Sequence, residues 1–211
     1  MPSPFVELLA DLAGALEKVG AGWYLFGAQA ALIHGAARLT ADVDVTIHLR
    51  GVESKALVTA LISAGFQMRV EGDDFLARTR VLPVVHAATG IPADLVIAGP
   101  GLEELFLERA ELREIDGVKV PVARAEDIVV MKILAGRPKD LEDVVAVLAA
   151  HPDDFDVELA RGTLRMLEEA LGQSDLLPEL GRAMDRARGG ATTKGRGGRG
   201  RAATKRKSRV R

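Results

Sequence analysis

Behind Ser3-Pro4, apolar residues recur at Phe5, Leu8, Leu9, Leu12, Leu16 and Val19. That spacing predicts an amphipathic helix capped by Ser3, opened by Pro4 and stopped by Gly20. The period then shortens. Trp23 to Phe26 reads as an apolar strand, Gly27-Ala28 as a tight turn, and a short helix is expected from near Gln29. From Ala41 to His48 the alternation is strict, with Asp42, Asp44, Thr46 and His48 on one face and Val43, Val45 and Ile47 on the other.

Further along, residues 53–64 predict a helix with Leu57, Leu61 and Ile62 inward. Phe66 to Val70 and Phe75 to Val81 read as two strands joined by a turn at Gly72-Asp73-Asp74, and Ala93 to Ala98 as another strand. A helix over 102–110 precedes a hairpin over 112–122 that turns on Asp116-Gly117. One helix is then expected to end at Gly136, with a break at Pro138 and a second helix opening on Asp140. Two more helices are expected over 155–171, with a stripe of Leu159, Leu164, Leu167 and Leu171, and over 175–188. These elements predict an α/β (α+β) fold, a small mixed sheet flanked by helices, with helical additions at its C-terminal end. The expected division is a core over 1–123, a helical extension over 124–188 and a tail over 189–211.

Composition changes the picture mainly at that tail. Residues 189–211 hold nine Lys or Arg and no acid, so residues 1–188 carry 19 basic and 30 acidic side chains, a balance of −11 that the overall −2 conceals. Glycine-rich, apolar-poor and uniformly basic, the tail is expected to be disordered and to bind polyanions through counterion release, with RNA as the candidate. The chain has no cysteine, which excludes disulfides and thiolate metal sites and is compatible with a reducing compartment. No apolar run approaches the 18 or so residues of a membrane span, and no basic region precedes the first apolar stretch. A cytoplasmic protein is therefore expected.

The candidate chemistry lies in the alternating strand. Asp42 and Asp44 stand two residues apart, about 6.5 Å along a strand, so their carboxylates can converge on one or two divalent ions. A solvated strand face is the plainer explanation of Asp-x-Asp alone. The preceding glycine turn favours chemistry, because backbone N–H groups at a helix start attract an anion beside the carboxylates. Asp94 is a second irregularity, a carboxylate just after Pro92 in the apolar run Ala93 to Ile97. It is either an exposed strand start or a third carboxylate of the site, with Asp73 and Asp74 as rivals. Around the break between the later helices, Lys132, Arg137, Lys139, Asp140 and Asp143 cluster, an arrangement that helix dipoles alone also favour.

Gly27-Ala28 followed, after thirteen intervening residues, by Asp42-Val43-Asp44 resembles the nucleotidyltransferases of the DNA polymerase β superfamily. Gly35-Ala36-Ala37-Arg38-Leu39-Thr40, and a lysine helix followed by Arg137-Pro138-Lys139-Asp140-Leu141-Glu142-Asp143, resemble its abortive-infection toxin branch, the AbiEii-like proteins. The resemblance implies a minimal nucleotidyltransferase fold and transfer of a nucleoside monophosphate from an NTP to an acceptor hydroxyl. By it, Asp42, Asp44 and Asp94 would hold Mg²⁺ or Mn²⁺, with Asp94 also taking the acceptor's proton. Gly27, Ala28, Gln29, Arg38, Thr40, Lys132, Arg137 and Asp140 would bind the nucleotide, Lys132 stabilising developing phosphate charge. The implied acceptor is RNA at a tRNA 3′ end, with an antitoxin protein as partner. Transfer to a small molecule or protein, and a non-catalytic nucleotide- or RNA-binding role, are the alternatives. Ala28 is a departure, since many relatives place Ser or Gly there.

Overall fold

A computed structural model describes residues 3–37, 40–70 and 74–194. Helix α1 (Pro4–Val19) starts as its sequence dictates, with the Ser3 side chain accepting from the Val6 N–H, and ends on Gly20 in the left-handed conformation. Strand β1 (Gly22–Phe26) leads without a loop into α2 (Gly27–Ile33), two residues before the expected helix start. Then come β2 (Val43–His48), α3 (Ser54–Ser63), β3 (Phe66–Met68), α4 (Asp74–Thr79), β4 (Val81–His86) and β5 (Pro92–Ile97). They are followed by α5 (Leu102–Arg109), the hairpin β6 (Glu111–Ile115) and β7 (Val118–Val122), and the helices α6 (Ala125–Ala135), α7 (Pro138–Ala150), α8 (Val157–Leu171) and α9 (Leu176–Lys194).

Among the described residues, seven strands form one mixed sheet in the order β3-β4-β5-β2-β1-β7-β6. The pairs β2–β5 and β1–β7 are parallel and the rest antiparallel. Val43, Val45 and Ile47 are fully buried on one face, together with Leu82, Val84 and Leu95 of neighbouring strands. Helices α1 and α3 pack on that face, and Asp11 of α1 reaches the buried His86 at 3.0 Å. The opposite face carries Asp44, Thr46 and His48. Helix α5 covers part of it, with Glu104 bonding His48 at 3.0 Å and Thr46 buried. The end of this face that bears Asp44 and Asp94 is only partly buried.

Several expectations need correction. The run Phe75 to Val81 is not a strand: α4 occupies most of it, and β3 pairs instead with β4. Pro83 made β4 illegible, since proline is rare within a sheet, yet here its carbonyl accepts from the Arg69 N–H at 2.9 Å. Ile62 is 57% exposed and Leu171 55% exposed, each lying on the solvent side of its helix rather than inward. Helix α7 opens on Pro138 rather than Asp140, because proline at the first helical position needs no N–H donor there. Residues 189–194 continue α9 instead of beginning a disordered tail. Extending a helix already packed on α7 is easier than nucleating one, even through Gly189-Gly190. Residues 195–211, the remainder of that expectation, lie outside the described residues, as do Arg38 and Asp73.

Candidate active site

The site begins where β1 becomes α2. Gly27 has φ +67°, and a Cβ on it would lie 2.0 Å from Asp44 Oδ2, so only glycine permits both the turn and the approach of the carboxylate. Asp44 pairs with Phe26 across the antiparallel strands, which brings its side chain under the turn. There it accepts the backbone N–H of Ala28. That donor was expected to face a phosphate, and in this structure it serves the carboxylate.

Burial pushes the Asp44 carboxyl above its ordinary range, and the nearby charges of Asp94 and Asp42 add to this. The Ala28 N–H and Lys132 act in the other direction. Asp94 stands beside Asp44 in parallel register, on the same face of β5, and pairs with Arg69 at 3.4 Å. The three aspartates thus lie along the edge formed by the starts of β2 and β5, two strands in the interior of the sheet. Asp74 opens α4.

A cavity of about 380 Å³ opens between this edge and helices α6 and α7. Gly27, Ala28, Thr40, Asp42 and Asp44 form one wall, and Lys132, Arg137, Lys139 and Asp140 the facing one. Phe26, Ile128, Met131 and Ala135 supply the apolar part. The α6 members 128, 131, 132 and 135 lie on one helical face. Asp94 and Gln29 are not among the lining residues. Gln29 instead donates to the Thr40 carbonyl at 3.1 Å, while Thr40 Oγ1 accepts from the Asp42 N–H at 3.4 Å. Both side chains fix the loop that delivers Asp42.

Lys132 is 7% exposed and already paired, its Nζ 3.3 Å from Asp140 Oδ1 and 2.7 Å from Asp143 Oδ2. Arg137 Nε also donates to Asp140. Burial would raise the Asp140 carboxyl, but the Arg137 hydrogen bond and the Lys132 charge outweigh it and hold it below the ordinary range. Asp143 is thus the nearer anchor of Lys132. Its spacing of three from Asp140 on one helix was the available signal. The apolar lining by Ile128 and Met131 and the Arg69 pairing had no local signal.

For a divalent cation, the donor set is two adjacent carboxylates with a third alongside. Among the described residues no group of three or more His, Asp or Glu is arranged to enclose a metal. Asp42 and Asp44 suit Mg²⁺, which takes one or two carboxylates and completes its shell with water and substrate phosphate oxygens.

Residues 7–160 match a family described as nucleotidyltransferases of unknown function, DUF6036. The chain belongs to that family. It is accordingly an enzyme of the nucleotidyltransferase class. No curated protein matches it in sequence. In fold it is similar to the antibiotic-resistance factor ANT(2'')-Ia in its solution structure, with 16% identity over 82% of this chain and 97% of that one, at a TM-score of 0.54. The crystal structure of ANT(2'')-Ia in complex with adenylyl-2''-tobramycin gives 16% identity over 75% and 95%, at 0.51. An antigenic nucleotidyltransferase-like protein from Paracoccidioides brasiliensis gives 19% over 85% and 91%, at 0.53. Among the described residues of this nucleotidyltransferase, no helix is long and apolar enough to cross a membrane.

Proposed function

We propose that this nucleotidyltransferase moves a nucleoside monophosphate from an NTP to an acceptor hydroxyl, using Asp42, Asp44, Asp94 and the cavity beside them. The observation that carries the reading is the cavity itself, which sets two carboxylates opposite the cations of α6 and α7 in a space of about 380 Å³. Asp42 and Asp44 would hold Mg²⁺ or Mn²⁺, which would supply positive charge against the phosphates. Arg137 and Lys139, at the start of α7, bind the triphosphate. Lys132 adds positive charge behind them and ties α6 to α7 through Asp140 and Asp143. Asp94 takes the acceptor's proton as its oxygen attacks the α-phosphorus. The bond from that phosphorus to the bridging oxygen breaks in line, and pyrophosphate leaves with the bond's electrons.

The acceptor we favour is RNA at a 3′ end, the tRNA 3′ end in the toxin reading, with a cognate antitoxin and a cytoplasmic setting. The nine basic side chains after residue 188 support capture of such a polyanion. A small-molecule acceptor is the second reading, favoured by the excess of acid over base before residue 189 and by the adenylyl-2''-tobramycin bound to ANT(2'')-Ia. Calorimetric titration with each NTP, with and without Mg²⁺, tests the shared core of both. Metal-dependent binding that Asp44→Asn abolishes is expected. Binding indifferent to metal and to Asp44 would contradict the assignment.

A further inference from the structure

Strand pairing sets one rank of side chains across the sheet. Phe26 pairs with Asp44, Asp44 with Asp94, and Asp94 with Pro83. One residue beyond β3, Arg69 continues the rank by donating its N–H to the Pro83 carbonyl. Direct cross-strand neighbours share a face. The rank therefore runs from an aromatic ring at the nucleotide cavity, through two carboxylates, to a guanidinium. At about 4.8 Å per strand, Arg69 starts two strand spacings, about 10 Å, from Asp94. Its side chain crosses Pro83, which has no polar group to detain it, and brings Nη1 3.4 Å from Asp94 Oδ1.

This cation lies outside the cavity to which the reading above assigns the nucleotide. Lys132, Arg137 and Lys139 line the cavity and Arg69 does not. In-line displacement puts the attacking hydroxyl opposite the departing pyrophosphate. With the triphosphate on the α6–α7 side, the acceptor comes from the Asp94 side, where Arg69 stands. The two side chains are 41% and 37% exposed, so their pairing contributes little and exchanges readily. A phosphate offers the planar guanidinium two parallel hydrogen bonds and competes well for it.

We propose that Arg69 selects the acceptor. It holds Asp94 in the free enzyme and, when the acceptor enters, binds the phosphodiester next to the attacking hydroxyl, releasing the carboxylate to receive the proton. Acceptors of this enzyme then carry a phosphodiester beside the reacting 3′ hydroxyl, and polycationic amines are disfavoured. The inference rests on the nucleotidyl-transfer reading above and decides between its two acceptor classes.

The test compares transfer of label from α-labelled NTP to the dinucleotide CpA, to adenosine, which lacks the phosphodiester, and to tobramycin. It uses the full-length wild type, Arg69→Gln and Arg69→Lys. Wild type is expected to prefer CpA. Arg69→Gln should lower kcat/KM for CpA about ten- to a hundredfold, mainly through KM, and should lower adenosine transfer far less. Arg69→Lys should recover part of the loss. Equal losses on CpA and adenosine would show that Arg69 merely orders Asp94 and would overturn the inference, as would no loss at all. Wild-type preference for tobramycin would overturn it while leaving nucleotidyl transfer standing. Failure of wild type to label any acceptor would overturn both.

Discussion

The backbone of Gly27 and the carboxylate of Asp44 are in such close contact that a methyl group on residue 27 would lie 2.0 Å from Asp44 Oδ2. The glycine turn and the Asp-x-Asp strand are therefore one unit, and the turn sets where the carboxylate points. Gly27→Ala meets both a positive φ, costing about 1–2 kcal/mol, and this collision, which the carboxylate relieves by turning away. The protein should remain folded with a modestly lower Tm. NTP turnover should drop by about a hundredfold or more, because a displaced reacting group costs that much. Circular dichroism melts and turnover measured together check the split.

How far the sequence revealed this site depends on how local each signal is. Alternation over residues 41–48 placed Asp42 and Asp44 together, and the glycines that end α1 and α6 stand where the apolar periodicity stops. Asp94 was visible only as an anomaly in an apolar run. Its parallel register with Asp44 is a pairing across fifty residues that no local pattern encodes. The same holds for Arg69, whose place depends on β4, the strand that Pro83 hid. The short run after Gly72 read as a strand because few residues separate a helical from an extended pattern there.

Lys132 has a structural role that can be separated from its proposed chemical one. Lys132→Met leaves Asp143 and Asp140 buried with less compensation, and should destabilise the fold by roughly 3–5 kcal/mol. Adding Asp143→Leu removes one of the two buried carboxylates and should recover much of that stability. Turnover should stay low in the double variant. Denaturant unfolding alongside NTP turnover resolves the two effects.

Asp127 gives the fold a pH dependence. Arg109 Nη2 lies 3.1 Å from Asp127 Oδ1, yet neither carboxylate oxygen completes a hydrogen bond with a described residue. Burial pushes the carboxyl up to about 7, against the opposing charge of Arg109, with Glu126 adding to the rise and Arg124 opposing it. Between about pH 4 and pH 7 the folded protein then holds a proton that the unfolded chain has lost, so this group's contribution to stability falls as pH rises through that window. Asp127→Asn should flatten the decline in Tm between pH 5 and pH 8, which melts at both pH values would detect.

If the C-terminal basic residues capture RNA, ending the chain after Lys194 removes eight Lys or Arg and leaves α9 whole. Affinity for single-stranded RNA should fall, and the slope of log affinity against log salt should flatten by up to about 5. An unchanged slope would place RNA contacts elsewhere.

The central claim is that Asp42 and Asp44 support nucleotidyl transfer, and the most direct test is incubation with each α-labelled NTP, Mg²⁺ and total tRNA. Wild type runs beside an Asp42→Ala, Asp44→Ala double variant that is shown to be folded. The account predicts label on RNA with wild type and none with the double variant. Equal labelling by both proteins would contradict it.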